Sequence, residues 1–365
     1  MPLSYDTATT GADDRGDADT AVVDLLVRSY PPELVDAAVA VCGRTERRRR
    51  LLPARRMVYF VLAMAAFSPA PYLDVMRRLE AGLRRAGLSQ PGPSAGKAAI
   101  FQARERLGSG PMEVLFRDSA LRTAHGVHGT QDVQDCHDPD GSHDPHGSYG
   151  EPVAPGRRGA APHWRGRALH LLAEQRTAAA RHVSAAPRLA VTGLLHGGTG
   201  EVVDAAWDGP GAAATLLRSV GPDTLLVVQG PAPDHALAAA AAARGTGLAW
   251  RMPTVRLPMQ PERRLADGSF LVRPRGVPLR VIAAGLVTNL IDPAEAPAGE
   301  LLAAADAVPD GRLLGDALLS AGPDAAPLTS RTAEGIDQEL YGRLLVHNAR
   351  LRAREVSAFT CEPCR

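Results

Sequence analysis

The densest set of metal-capable side chains lies between residues 125 and 146. It comprises His125, His128, Asp132, Asp135, Cys136, His137, Asp138, Asp140, His143, Asp144 and His146. Imidazole and thiolate suit Zn²⁺ or Ni²⁺. The stretch contains no helical His-x-x-x-His or Cys-x-x-Cys frame and little apolar content, so it reads as a solvated loop. Cys361-Glu362-Pro363-Cys364 has metal-pair spacing but no second pair. Gly197-Gly198-Thr199-Gly200 is followed by a strand-like run rather than a helix, which suits a turn and not a phosphate cradle. The remaining chemistry is cationic. Residues 44–106 carry 14 basic and 4 acidic side chains, a net +10, while residues 1–24 carry a net −5. Arg47, Arg48, Arg49 and Arg50 form a run suited to nucleic-acid phosphates, with Arg77, Arg78, Arg84 and Arg85 next in line.

Those arginines need helices to hold them. Residues 21–122 read as all helical: Ala21–Ser29, then Glu33–Cys42 after Pro31-Pro32, then the apolar Met57–Phe67. Pro71–Ala86 has Val75, Leu79 and Leu83 at four-residue spacing, with its arginines elsewhere, which is an amphipathic helix with a basic face. Ser94 is placed to cap a helix through Leu107, and Pro111 to open another through Arg122. Residues 1–20 read as a disordered leader and 123–187 as an irregular segment with a short helix over 167–182. From 188 the period shortens to that of strands. A hairpin is expected over 189–195 and 201–206, with strands over 224–228, 248–252, 269–272 and 279–286. Helices are expected over 234–243, 299–307, 312–320 and 334–356, and residues 358–365 form a tail. Strands alternating with helices make this second part α/β.

Composition narrows the classes. The chain has 365 residues, 45% hydrophobic but only 4% aromatic, so its core rests on Leu, Val and Ala. Gly (36) and Pro (30) are frequent but aperiodic, which excludes collagen. Lys97 is the single lysine; the Arg, Ala, Gly and Pro content is what GC-rich bacterial codons supply. The longest apolar run, residues 57–67, falls short of the roughly 20 needed to span a bilayer. A cytoplasmic protein without a membrane partner is expected.

Several short pieces occur in an order that resembles insertion-sequence-4 family transposases. They are Pro31-Pro32-Glu33-Leu34-Val35, Arg44-Thr45-Glu46-Arg47-Arg48, Leu51-Leu52-Pro53-Ala54-Arg55 and Phe101-Gln102-Ala103-Arg104-Glu105-Arg106-Leu107-Gly108. Later come His128-Gly129-Thr130, Leu225-Leu226-Val227-Val228, Trp250-Arg251, Asp267-Gly268-Ser269-Phe270, Leu290-Ile291-Asp292-Pro293 and Gln338-Glu339-Leu340-Tyr341-Gly342. The resemblance runs over about 25–350. It implies an all-α N-terminal DNA-binding domain (21–122) and a ribonuclease-H-like, DDE-type catalytic domain (188–357) with a β-rich insertion at about 248–287. The implied chemistry is DNA strand cleavage and transfer with two divalent metals held by two Asp and one Glu. DNA is the implied partner, with a homodimer left open.

The family's ligands do not carry over. Its Asp-Gly-Thr stands as His128-Gly129-Thr130, its Asp-Arg-Gly as Gln229-Gly230-Pro231, and its Glu as Arg312. The accompanying Tyr, Arg and Lys stand as Ala305, Val308 and Leu319. Nitrogen is a poor ligand for Mg²⁺, and Gln adds no charge. Arg312 adds a repulsive charge of about 4 kcal/mol at ~4 Å and an effective dielectric of 20. Of the nearby carboxylates Asp132, Asp234 and Asp316, the last is expected to pair with Arg312. The expectation is a catalytically inactive, transposase-like DNA-binding protein with no metal site, Mg²⁺ being called for only if activity is retained. The alternative is a co-opted partner- or metal-binding protein using 125–187.

Overall fold

The computed structural model describes residues 10–46, 48, 50–90, 93, 95–124, 162–178, 188–207, 211–229, 234–252, 261–282, 285–319 and 328–360. Six helices come first: α1 (Thr10–Ser29), α2 (Pro32–Val41), α3 (Ala54–Ala66), α4 (Tyr72–Arg85), α5 (Lys97–Leu107) and α6 (Gly110–Ala124). Prolines set the boundaries, since Pro31, Pro53 and Pro71 are extended residues just ahead of α2, α3 and α4. Nine of the thirteen residues of α3 are buried, which puts this apolar helix at the centre of the bundle. Of the expected leader over 1–20, residues 10–20 belong to helix α1, and residues 1–9 lie outside the described residues. Val23 packs on α4 where Gly82 leaves room; a Cβ there would lie 2.5 Å from that of Val23. Asp17 and Asp19 reach Arg85 and Arg78 at 3.0 and 3.3 Å. The helix docks on a partner about 60 residues away, which local pattern does not reveal. Ser94 lies outside the described residues, and Gly96 precedes α5.

The remaining elements form one sheet with helices on both faces. Its strands are β1 (His163–Trp164), β2 (Arg167–Ala178), β3 (Arg188–His196), β4 (Val202–Trp207), β5 (Thr224–Gln229), β6 (Gly247–Arg251), β7 (Arg263–Arg264), β8 (Phe270–Val272), β9 (Leu279–Ile282) and β10 (Leu286–Thr288). The order is β4-β3-β2-β5-β6-β10-β9-β8-β7, with β1 on β2. β2 and β6 flank β5 in parallel; the other pairings are antiparallel. The helices are α7 (Ala212–Thr215), α8 (His235–Arg244), α9 (Ala298–Ala307), α10 (Arg312–Leu319) and α11 (Ala333–Thr360).

Two expectations fail here. The short helix over 167–182 is instead β2, hydrogen-bonded on both sides, so the irregular segment 123–187 contains a central strand. Leu169, Leu171 and Ala173 pack toward α10 and α11, while Leu172 packs toward α8 and Trp250. Burial on both faces erases the alternation that marks a strand. The single strand over 279–286 is the hairpin β9–β10, turned at Gly285 (φ +81°), where a Cβ would lie 2.6 Å from the Met252 carbonyl oxygen. Residues 248–287 thus extend the main sheet from β6 outward. The buried guanidinium of Arg280 holds this extension, donating to Ser269 Oγ, the Ala296 carbonyl and Asp267.

Helix α11 joins the two parts. It crosses α3 at Gly342, where a Cβ would meet the Val61 carbonyl at 3.2 Å. The buried Asn348 amide accepts from Val202 N and donates to Val202 O, both at 2.9 Å. Gln338 donates to the Arg104 and Gly108 carbonyls and accepts from Arg104 Nε at 3.0 Å. Tyr30 Oη donates to the Leu345 carbonyl at 2.7 Å. Among the described residues, no helix is long and apolar enough to cross a membrane.

Asn348→Ala leaves both backbone groups of Val202 unpaired, and the expected loss is about 2–4 kcal/mol in urea unfolding. A second outcome concerns pH. Burial, reinforced by His196 and His163, pushes His170 from its ordinary 6.5 down to about 4. The unfolded chain therefore takes up a proton between those values while the fold does not. Stability should fall as pH drops from 6.5 toward 4, by up to about 3 kcal/mol. His170→Leu should flatten that slope in melts across the range.

Candidate functional site

In open parallel sheets, ligands gather at the carboxyl ends of the strands. Three such ends stand side by side here. Ala173 of β2 pairs in register with Gln229 of β5, and Gln229 pairs with Arg251 of β6. The three share the sheet face covered by α9, α10 and α11. Gln229 Oε1 accepts the backbone N–H of Gly311 at 2.9 Å, which seats the start of α10 on these ends. The fit is close: a Cβ on Gly311 would lie 2.8 Å from Gln229 Oε1 and 3.3 Å from Ala173 Cβ. Arg251 is ion-paired with Asp306 of α9. Arg312 opens α10 with its side chain 90% exposed, 3.7 Å from Asp310, whose Oδ1 also accepts Arg312 N.

The fold therefore brings Gln229 and the Arg312 segment together. His128 lies outside the described residues, and the position in register with Gln229 belongs to Ala173. The expected Arg312–Asp316 pair is corrected to Arg312–Asp310, because Asp310 caps the same helix end. Asp234 caps α8 by accepting Ala236 N at 2.9 Å. Asp132, the His/Asp cluster and Cys361-x-x-Cys364 fall outside the described residues. Trp250 is a core residue, 2% exposed.

Two divalent metals need several hard oxygen donors, carboxylates foremost. Ala173 offers none, the Gln229 oxygen is engaged by an N–H, and Arg251 and Arg312 bring positive charge. The described residues at the strand ends do not fit such a pair. Among the described residues there is also no group of three or more His, Cys, Asp or Glu able to hold a metal. Ala173 and Arg251 were not singled out from sequence as site residues. The available signal was the apolar run 168–173, ending as 224–229 does.

The arginines divide into two sets. Arg48, Arg50 and Arg84 are exposed, Arg84 Nε donating to the Glu80 carbonyl. Arg77 and Arg78 both hold Asp74, at 2.5 and 2.7 Å, and keep its carboxyl below the usual carboxylate range. Arg78 and Arg85 reach across to Asp19 and Asp17 of α1. Arg47 and Arg49 lie outside the described residues.

Comparison with known proteins points to the same helices. Residues 20–117 match the family described as insertion element 4 transposase N-terminal. The chain is also 33% identical over 91 residues to "Transposase InsG for insertion sequence element IS4" of Escherichia coli (strain K12). That match covers 24% of this chain and 19% of the relative's length. The N-terminal helices are thus similar to the corresponding region of insertion-sequence-4 transposases.

Gln229→Ala tests the seating of α10. Losing the acceptor for Gly311 N–H should lower stability by about 1–2 kcal/mol in thermal or urea melts.

Proposed function

We propose that the chain is a DNA-binding protein of transposase descent whose strand-transfer site has been dismantled. The carrying observation is the row Ala173, Gln229 and Arg251 at three adjoining strand ends, with Arg312 opening the helix seated beside them. A three-stranded antiparallel meander, β2-β3-β4, whose first strand pairs in parallel with β5, which in turn pairs in parallel with β6, supports a ribonuclease-H-like reading of the sheet. Under that reading the first lost carboxylate corresponds to Ala173 and not His128. The second corresponds to Gln229 and the third to Arg312. The unit boundaries shift accordingly, to a helical DNA-binding unit from α1 to α6 and a sheet unit that includes β1 and β2. No catalytic step is assigned to the strand ends, and no Mg²⁺ is called for.

DNA contact is assigned to the run Arg47, Arg48, Arg49 and Arg50, with Arg84 of α4 as a further candidate. Guanidinium groups suit phosphate through paired N–H donors. Arg48 and Arg50 stand exposed between α2 and α3, in the part of the chain that matches the transposase N-terminal family.

Two assays test the two halves of the reading. Incubation with supercoiled plasmid and Mg²⁺ or Mn²⁺ should leave the plasmid unnicked; metal-dependent nicking would sink the dismantled site. Binding to duplex DNA should weaken steeply with salt. Replacing all four residues 47–50 by Ala should reduce the log–log salt slope by up to about 3–4, near 0.9 per phosphate contact. Unchanged retention on heparin would sink the arginine assignment.

A further inference from the structure

Helix α1 joins two unlike halves. Its second half is anchored by apolar burial: Val23 and Leu26 are inaccessible, and Val23 fills the space left by Gly82. Tyr30, just past its end, is tied to α11. Its first half is acidic and lies along the arginine ridge of α4. Asp17 meets Arg85 at 3.0 Å and Asp19 meets Arg78 at 3.3 Å. The Asp17–Arg85 pair is open to water, its side chains 71% and 62% exposed, while Asp19 and Arg78 are half-buried. The anchor needs neither ion pair, so the acidic half is free to release its arginines without undocking the helix.

We propose that the first half of α1 is an internal competitor for nucleic acid, with Asp17 and Asp19 occupying guanidinium groups that would otherwise take duplex phosphates. The inference rests on the DNA-binding reading above and adds a restraint to it. With α1 in place, Arg77, Arg78, Arg84 and Arg85 are opposed by Asp74, Asp17 and Asp19, and the ridge is close to neutral. Without the two α1 carboxylates the ridge is strongly cationic. Exposed ion pairs are weak and salt-screened, whereas a duplex supplies many phosphates and releases bound counterions. DNA can therefore displace the aspartates, but binding is weaker than the arginines alone would allow. The matched family region begins at residue 20, just after these aspartates.

The test uses the full chain and a short labelled duplex of arbitrary sequence, read by fluorescence anisotropy at low salt. Asp17→Asn with Asp19→Asn should bind about three- to thirtyfold tighter than the parent. Asp24→Asn, on the same helix but in none of the ion pairs with the α4 arginines, should bind like the parent. In an Arg78→Gln, Arg85→Gln background, the two Asn substitutions should give no gain. Melting curves of each variant check that the fold is kept, which the isosteric Asn changes should allow. Equal binding by parent and Asn variant overturns the competitor and leaves the DNA-binding reading standing. The same gain from Asp24→Asn, or in the Gln background, also overturns it, since overall charge would then be the cause. Absence of binding by parent and Asn variant alike overturns both.

Discussion

A single buried helix carries the architecture, and its polar side chains determine how it sits. α11 runs through the core that the N-terminal helices share with one face of the sheet. An apolar helix in that position could slide or rotate, because dispersion is non-directional. Asn348, Gln338 and Glu339 prevent this by matching specific partners. The Asn348 amide closes on both backbone groups of Val202 in β4, and Gln338 closes on the end of α5. Glu339 accepts from Thr329 N, Thr329 Oγ1 and Ser330 Oγ, which fixes the approach to the helix. Buried polar groups are costly unless satisfied, so each such pair has one permitted register. The register of α11 then fixes how the basic helices face relative to the sheet.

The strand ends follow a different logic. Their backbone arrangement is that of an open parallel sheet, with a helix N-terminus brought close to the strand tips. The side chains there are small, neutral or cationic. Gln229 holds α10 where a carboxylate would repel nothing but would demand a cation to neutralise it. Arg251 and Arg312 each take a local aspartate, Asp306 and Asp310. The cleft is thus electrically self-contained, with each charge answered within a few residues or by the adjoining helix. In the proposed function, DNA contact therefore falls to the arginines of the N-terminal helices.

Much of this was legible in the sequence, for identifiable reasons. Prolines 31, 53 and 71 punctuate apolar runs, so α2, α3 and α4 could be bounded closely. The apolar run at 224–228 was short, flanked by turn residues and rich in Val and Leu, and it forms β5, which runs one residue further to Gln229. Segment 167–178 was not legible as a strand because Leu171, Leu172 and Ala173 are buried in succession on both faces, so its apolar residues do not alternate with polar ones there. Ala173 was missed for the same reason, and because a methyl group carries no chemical signal of its own. The first half of α1 was read as a tail because the helix docks on α4 through Val23 at Gly82, a contact that local composition does not reveal. Arg312 was found by counting along a motif, and its ion partner was misassigned because Asp310 lies before the helix rather than one turn into it.

The account's central claim is that the strand-end cleft holds no divalent metal. The most direct measurement is the NMR signal of the Gln229 side-chain amide during titration of the full chain with Mn²⁺, which broadens any nucleus close to its binding site. The account predicts that this resonance keeps its width, whatever happens at the His/Asp-rich stretch 125–146. Selective, saturable broadening of the Gln229 amide at low Mn²⁺ would contradict it.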